Sequence, residues 1–173
     1  MDGLWTLRDL LTRHKHFVSQ FLVRNYERIF HGLNSLIKSK DYVVVRQTLE
    51  ILETVLNEEK NYQFKTLYIN SMNNSKIIKN LLWNDWKHIR LRAFVIFKLI
   101  MENDDQKFIN DFLEPKDKLI EALQDFKREC VGDRMFKEQE VFVHQIINDI
   151  KLKEFIKFQS ENLSEKNILK HFL

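Results

Sequence analysis

Val45-Arg46-Gln47-Thr48-Leu49-Glu50-Ile51-Leu52-Glu53-Thr54-Val55-Leu56 is the stretch that decides the fold. Its apolar residues Val45, Leu49, Leu52, Val55 and Leu56 keep the three-to-four spacing that lines one face of an α-helix. Shifted by 44 residues the pattern returns, pairing Val45 with Ile89, Arg46 with Arg90, Leu49 with Ala93, Leu52 with Ile96, Val55 with Leu99 and Leu56 with Ile100. Such a period falls within the roughly 40 to 47 residues of armadillo and HEAT repeats, whose helices bury their apolar faces only by stacking on neighbouring units. The expectation is an all-α chain: an armadillo- or HEAT-like α-solenoid, a right-handed superhelix of about three to four helical repeats. An irregular helical bundle with accidental self-similarity would give the same local pattern.

Outward from this core the helical spacing continues. Leu22, Tyr26, Ile29, Phe30, Leu33, Leu36 and Ile37 form one stretch, and Leu119, Ile120, Leu123 and Phe126 another. Weaker runs lie around Tyr62 to Ile69 and Ile77 to Leu82. The predicted core includes Leu22, Phe30, Leu49, Leu52, Phe94, Phe97, Leu119 and Phe126. Asp41, Asn74, Asp85 and Asp105 each precede a periodic run, where a short polar side chain can accept from an unpaired first-turn N–H. Pro115 suits a first turn, since its missing N–H has no partner to lose there. A last long helix of about 34 Å is expected from Phe136 to Phe158, followed by a short terminal one capped by Ser164.

Composition agrees with a helical fold. Of the 173 residues 44% are hydrophobic, enough for one core, while three Gly and one Pro leave little punctuation for a sandwich, a barrel or a Gly-looped nucleotide site. Charged residues make up 31%, and 28 Lys and Arg against 25 Asp and Glu leave a net charge of +3, too small to demand a polyanionic partner. The lone Cys130 permits no intrachain disulfide. No run of about 18 apolar residues reads as a membrane span, and the charged N-terminus is no secretory signal, so the expected location is the cytoplasm.

Chemistry is hard to find. Cys130 has no local signature of a nucleophile, and the six His are scattered along helices. His14 and His16 stand two apart, which on a helix points them about 200° away from each other, so they cannot chelate together. Asn103-Asp104-Asp105 lacks the alternating ligands, central Gly and closing Glu of a calcium loop and reads as a capping loop. No catalytic, metal or cofactor site is therefore expected. Lys87, His88, Arg90, Arg92 and Lys98 lie near Trp83 and Trp86, a basic-aromatic mixture that RNA-binding surfaces use but that also suits a solvated helix face. A curved helical solenoid most simply offers a surface for other proteins.

Several short motifs, in order, carry a resemblance. Asp9-Leu10-Leu11-Thr12-Arg13-His14-Lys15, Phe21-Leu22 with Asn25-Tyr26, Asp41-Tyr42-Val43 with Arg46-Gln47, Asn80-Leu81-Leu82, Ala93-Phe94 with Phe97-Lys98, and Lys118-Leu119-Ile120-Glu121 resemble the Mo-twenty-five scaffold family, also known as calcium-binding protein thirty-nine. The resemblance runs over residues 4–151, so the chain divides into an armadillo-like domain, 1–151, and a C-terminal helical extension, 152–173. It implies a non-catalytic scaffold that binds and regulates a kinase or pseudokinase of the sterile-twenty or germinal-centre type. The family's concave face cradles the kinase and a pocket takes a Trp-Glu-Phe tripeptide. The alternative is a structural subunit of a larger protein or ribonucleoprotein assembly, held by the face from Lys87 to Lys98.

The resemblance also implies where a partner would bind: Arg46, Glu50, Glu59, Tyr62, Lys79, Asn80 and Glu114. Arg46 and Asn80 keep the family's residues. Glu50 and Glu114 stand where the family has lysines, Lys79 where a pocket Met belongs, and Glu59 and Tyr62 at a concave-face Arg and Phe. Reversed charges should discriminate against the family's acidic peptide; drifted surface residues on a retained fold would show the same changes. Two further expectations follow. Leu4, Trp5 and Leu7 should fold back as a cap or make an end-on contact with another chain. The apolar tail should dock as a helix on its own chain, near Glu50, Lys79 and Glu114, or on another protein.

Overall fold

Why the chain breaks where it does is visible at the helix ends. In the computed structural model, which describes residues 2–103, 105–129, 132, 137 and 139–152, every regular element is helical. The elements are α1 (Asp2–Arg13), α2 (Lys15–Arg24), α3 (Tyr26–Ile37), α4 (Tyr42–Asn57), α5 (Tyr62–Ile69), α6 (Met72–Asn80), α7 (Lys87–Ile100), α8 (Gln106–Leu113) and α9 (Lys116–Glu129). A tenth, α10, covers 139–152, and short 3-10 turns precede α5 and follow α6. Two of the four expected caps form: Asp41 accepts from the N–H groups of Val43 and Val44, and Asp105 from those of Lys107 and Phe108. Pro115 offers its carbonyl to the Leu119 N–H, the first bond of α9.

Two cap expectations and one helix need correction. Ser71, not Asn74, caps α6; Asn74 lies inside that helix, buried, and accepts a 2.7 Å hydrogen bond from the Asn34 amide of α3. Asp85 caps nothing, because α7 starts after Trp86, whose N–H donates to Asn84 Oδ1 instead. The run from Leu22 to Ile37 bends at Asn25, where φ −118° and ψ 23° depart from helical values, so one periodic stretch becomes α2 and α3. The expected last helix is present over 139–152; its outer ends, Ser164 and the docking of residues 153–173 lie outside the described residues.

The chain forms two compact units, Met1–Glu114 and Pro115–Leu173. In the first, α4 packs against α1, α3 and α7, and α7 against α4 and α6. The 44-residue repeat survives in three dimensions: Val45, Leu49, Leu52, Val55 and Leu56 are all buried, as are Ile89, Ala93, Ile96, Leu99 and Ile100. Aromatic rings fill the space between helices, with Phe30 against Phe64 and Tyr68, and Phe97 against Phe112 at 5.2 Å between centroids. Every predicted core residue of the first unit is buried, as are Leu119 and Phe126 in the second. On α10, Val143, Ile146, Ile147 and Ile150 are buried at helical spacing, and the Lys127 ammonium of α9 meets Nε2 of His144.

At the N-terminus α1 does fold back, packing on α4, and Leu11 is its buried residue. Trp5 stays 56% exposed, with the Arg8 guanidinium lying over its ring.

Candidate functional site

The seven expected site residues fall in three places of the first unit, each shaped by different packing. Arg46 and Glu50 face the groove between α4 and α1, a concavity of about 170 Å³ whose walls include Leu4, Trp5, Arg8 and Gln47. Their i, i+4 spacing puts them on one face of α4. Glu50 is held there by Arg8 at 3.7 Å and Arg92 at 3.9 Å, and Arg92 is held more closely by Glu53 at 2.7 Å. Arg46 is exposed and forms no ion pair among the described residues. The reversed charge at Glu50 is therefore compensated by arginines of the same chain. The Oε1 atom of Gln47 is buried without a hydrogen-bond partner.

Lys79 departs from the expectation of a pocket-lining residue. It is 6% exposed, and its ammonium donates to the carbonyls of Phe112 at 2.6 Å and Glu114 at 2.5 Å. Those carbonyls belong to the end of α8, where a helix leaves its last acceptors unpaired and its dipole is negative. The cation also sits 5.5 Å from the centre of the Phe112 ring. Burial lowers its pKa below the ordinary lysine value, Lys76 acts in the same direction and Glu114 opposes. Lys79 is thus a clamp between α6 and α8, turned away from any partner. Glu114 is exposed and contributes its backbone carbonyl; Asn80, at the end of α6, is exposed and makes no side-chain hydrogen bond among the described residues.

Glu59 and Tyr62 are both exposed. Tyr62 opens α5 and is 70% exposed at the rim of a recess of about 400 Å³. Lys65, Asn70, Glu102 and Phe108 share its wall, drawn from α5, from the turn after α7 and from α8. The wall is braced: Lys65 Nζ pairs with Glu102 at 2.5 Å, and the Asn103 amide donates to Asn70 Oδ1 at 2.8 Å and to the Ile69 carbonyl at 3.3 Å. Asn103 Oδ1 in turn accepts the Asp105 N–H, which sets the cap of α8. A recess with aromatic residues in a mostly polar wall of paired charges and amides suits protein side chains. Sequence reasoning missed Lys65, Glu102 and Phe108, because residues up to 46 positions apart reach one wall only through helix packing. It missed Trp5 and Arg8 in the α1–α4 groove for the same reason.

Among the described residues no group of three or more His, Cys, Asp or Glu could hold a metal ion, and no helix is long and apolar enough to cross a membrane. Comparison with known proteins adds the relationship. The family model described as Mo25-like matches residues 1–151. The human calcium-binding protein 39-like is 34% identical over 152 residues, covering 87% of this chain and 45% of its own. The degreening-related dee76 protein of Auxenochlorella protothecoides is 36% identical over 144 residues, 82% of this chain and 44% of its own. The Mo25-like protein of Schizosaccharomyces pombe is 32% identical over 144 residues, with the same coverage. The chain spans a little under half the length of these curated relatives.

Proposed function

The chain belongs to the Mo25-like (Mo-twenty-five) family, and from that premise we propose that it is a non-catalytic scaffold that binds and regulates a protein kinase or pseudokinase of the sterile-twenty or germinal-centre type. The observation that supports this most is the Tyr62 recess. A large aromatic held 70% in solvent on a braced rim has no packing reason to be there, and such residues are typical anchors of protein interfaces. Of the positions carried over from the family, Arg46, Glu59, Tyr62 and Asn80 are exposed to a partner. Lys79 and Glu50 are engaged within the chain, so the family's tripeptide pocket is altered at its base. The cytoplasm is the compartment this reading requires.

Titration calorimetry of the whole chain against purified sterile-twenty-type kinases and their pseudokinase tests the reading. Binding to at least one, weakened at least about tenfold by Tyr62→Ala and little by Lys79→Met, is the expected result. Binding to none overturns it. Within the Lys87–Lys98 face on which the assembly-subunit alternative relies, Arg92 is paired with Glu53 and Glu50.

A further inference from the structure

Helices α2 and α3 carry two stripes. One is buried: Val18, Leu22, Phe30, Leu33 and Ile37 face the core. The other runs through Phe17, Phe21, Arg24, Arg28, His31 and Ser35, and every one of these residues is exposed. Its spacing alternates four and three residues without a break, the pattern of the narrow seam along which one helix lies on another. Asn25 bends the pair without severing it, since its N–H donates to the Phe21 carbonyl and its own carbonyl accepts the Ile29 N–H, both at 3.0 Å. From Phe17 to Ser35 the seam is about 27 Å long.

Stability does not account for the two rings. Phe17 is 76% and Phe21 51% exposed, four residues apart on a helix whose core side is already supplied by Val18 and Leu22. Large aromatics held this far into water are typical of contact surfaces. The seam then turns cationic. Arg24 and Arg28 form no ion pair among the described residues. Glu27, the one acid of α2 and α3, accepts the Tyr26 hydroxyl at 3.1 Å.

Charge and spacing together select the occupant. A second copy of this chain, laid along the whole seam, would set Arg24 and Arg28 against the same two arginines in either direction, a like-charge contact. A bilayer surface takes a helix with a broad apolar face, and only two apolar residues stand on this stripe. What fits is a helix whose own seam is apolar at one end and acidic at the other.

We propose that the exposed seam of α2 and α3 docks an amphipathic helix of another protein, with apolar residues packed against Phe17 and Phe21 and carboxylates meeting Arg24 and Arg28. The surface is separate from both concavities described above: none of its residues lines the α1–α4 groove or the Tyr62 recess. It goes beyond the kinase reading and does not depend on it.

A phage-displayed library of single helices four heptads long, with only the a and d positions randomised, provides the probe when selected against the immobilised whole chain. Enriched helices should carry aliphatic or aromatic residues in the a and d positions of one end and Asp or Glu in those of the other. Their affinity should fall at least about tenfold in Phe17→Ala/Phe21→Ala. Arg24→Glu/Arg28→Glu, which leaves both rings in place, should weaken them comparably, and a selected helix with its acids changed to Lys should bind that variant in preference to the unaltered chain. Val141→Ala, at an equally exposed position on α10, should change nothing. Should the double phenylalanine variant lose its native melting transition, the charge swap decides alone. Enriched helices without an acidic end, or a charge swap that restores no binding, overturn the proposal. So does a dimer in sedimentation velocity that Phe17→Ala/Phe21→Ala dissolves, or binding to vesicles of equal parts phosphatidylcholine and phosphatidylserine that the same variant abolishes. Helices lost in Tyr62→Ala instead overturn this face and leave the scaffold reading standing.

Discussion

Position 50 of α4 is a glutamate kept at the surface by Arg8 and Arg92; 44 residues on, the same register position of α7 is Phe94, fully buried. Position 53 repeats the contrast, with Glu53 paired to Arg92 and Phe97 buried against Phe112. The two helices share one apolar stripe and differ on the flank beside it. Helix α7 has neighbours where α4 has solvent, so a repeat unit's place in the stack decides whether a flank position is polar or aromatic. In α4 the polar flank leaves room for ion pairs and a groove. In α7 that flank becomes core, and partial exposure along the helix body is left to Arg90, Arg92, Val95 and Lys98.

Substitutions at matched positions can break this contrast. Phe97→Ala should cost about 3–5 kcal/mol in chemical denaturation, through lost burial and an unfilled cavity among Phe94 and Phe112. Glu53→Gln, its counterpart one repeat earlier, should cost under about 1 kcal/mol, since a partly exposed ion pair is screened. Equal losses at the two sites would end the comparison.

Lys79→Ala comes next, at about 2–3 kcal/mol, because it uncaps α8 and empties a buried site. Lys79→Met, which refills the volume, should cost less. The clamp also predicts a pH effect. With its pKa lowered in the folded state, the unfolded chain binds more protons just below the ordinary lysine value, so stability at this site rises with pH through that window. Lys79→Met should abolish that slope in melting temperatures measured from pH 8 to 11.

Smaller still, and opposite in sign, is Tyr68→Phe. The Tyr68 hydroxyl is buried without a hydrogen-bond partner, and burial pushes its pKa far above the ordinary tyrosine value. Removing it while keeping the ring against Phe30 should be neutral or stabilise by up to about 1 kcal/mol. A loss larger than that would mean the hydroxyl is satisfied after all.

The smallest effect expected is at Glu58, whose carboxylate pairs with Lys15 at 2.6 Å. The hydrogen bond from Lys15 holds its pKa below the usual glutamate value, against a small opposing effect of burial. Its stabilisation should be complete above the unfolded-state pKa and fade as pH falls through the lowered one. Glu58→Gln should flatten that acid limb by slightly lowering stability near neutral pH, where the pair is fully formed, while leaving it unchanged at pH values below the lowered pKa.

The sequence alone was enough to determine the helices, the shared stripe of α4 and α7, and two of the caps. All follow from rules that act within about four residues: helical spacing, and an aspartate beside a free N–H. Local rules misread Asn74, because a polar residue before an apolar run can cap a helix or enter one, and the partner that settles it, Asn34, is 40 residues away. They missed the bend at Asn25 because the apolar spacing continues unbroken across it.

What only the tertiary structure decided is which polar residues are left for a partner. Arg46 and Arg92 look alike along the chain, yet among the described residues one forms no ion pair and the other is bound to α4; Lys79 reads as a surface lysine and is buried under α8. Ion pairs and caps of this kind join residues roughly 33 to 43 positions apart, from Lys79 with Phe112 to Lys15 with Glu58, so they are set by how neighbouring helices stack. Helical periodicity fixes a side chain's direction around its own axis, and stacking fixes what stands in front of it.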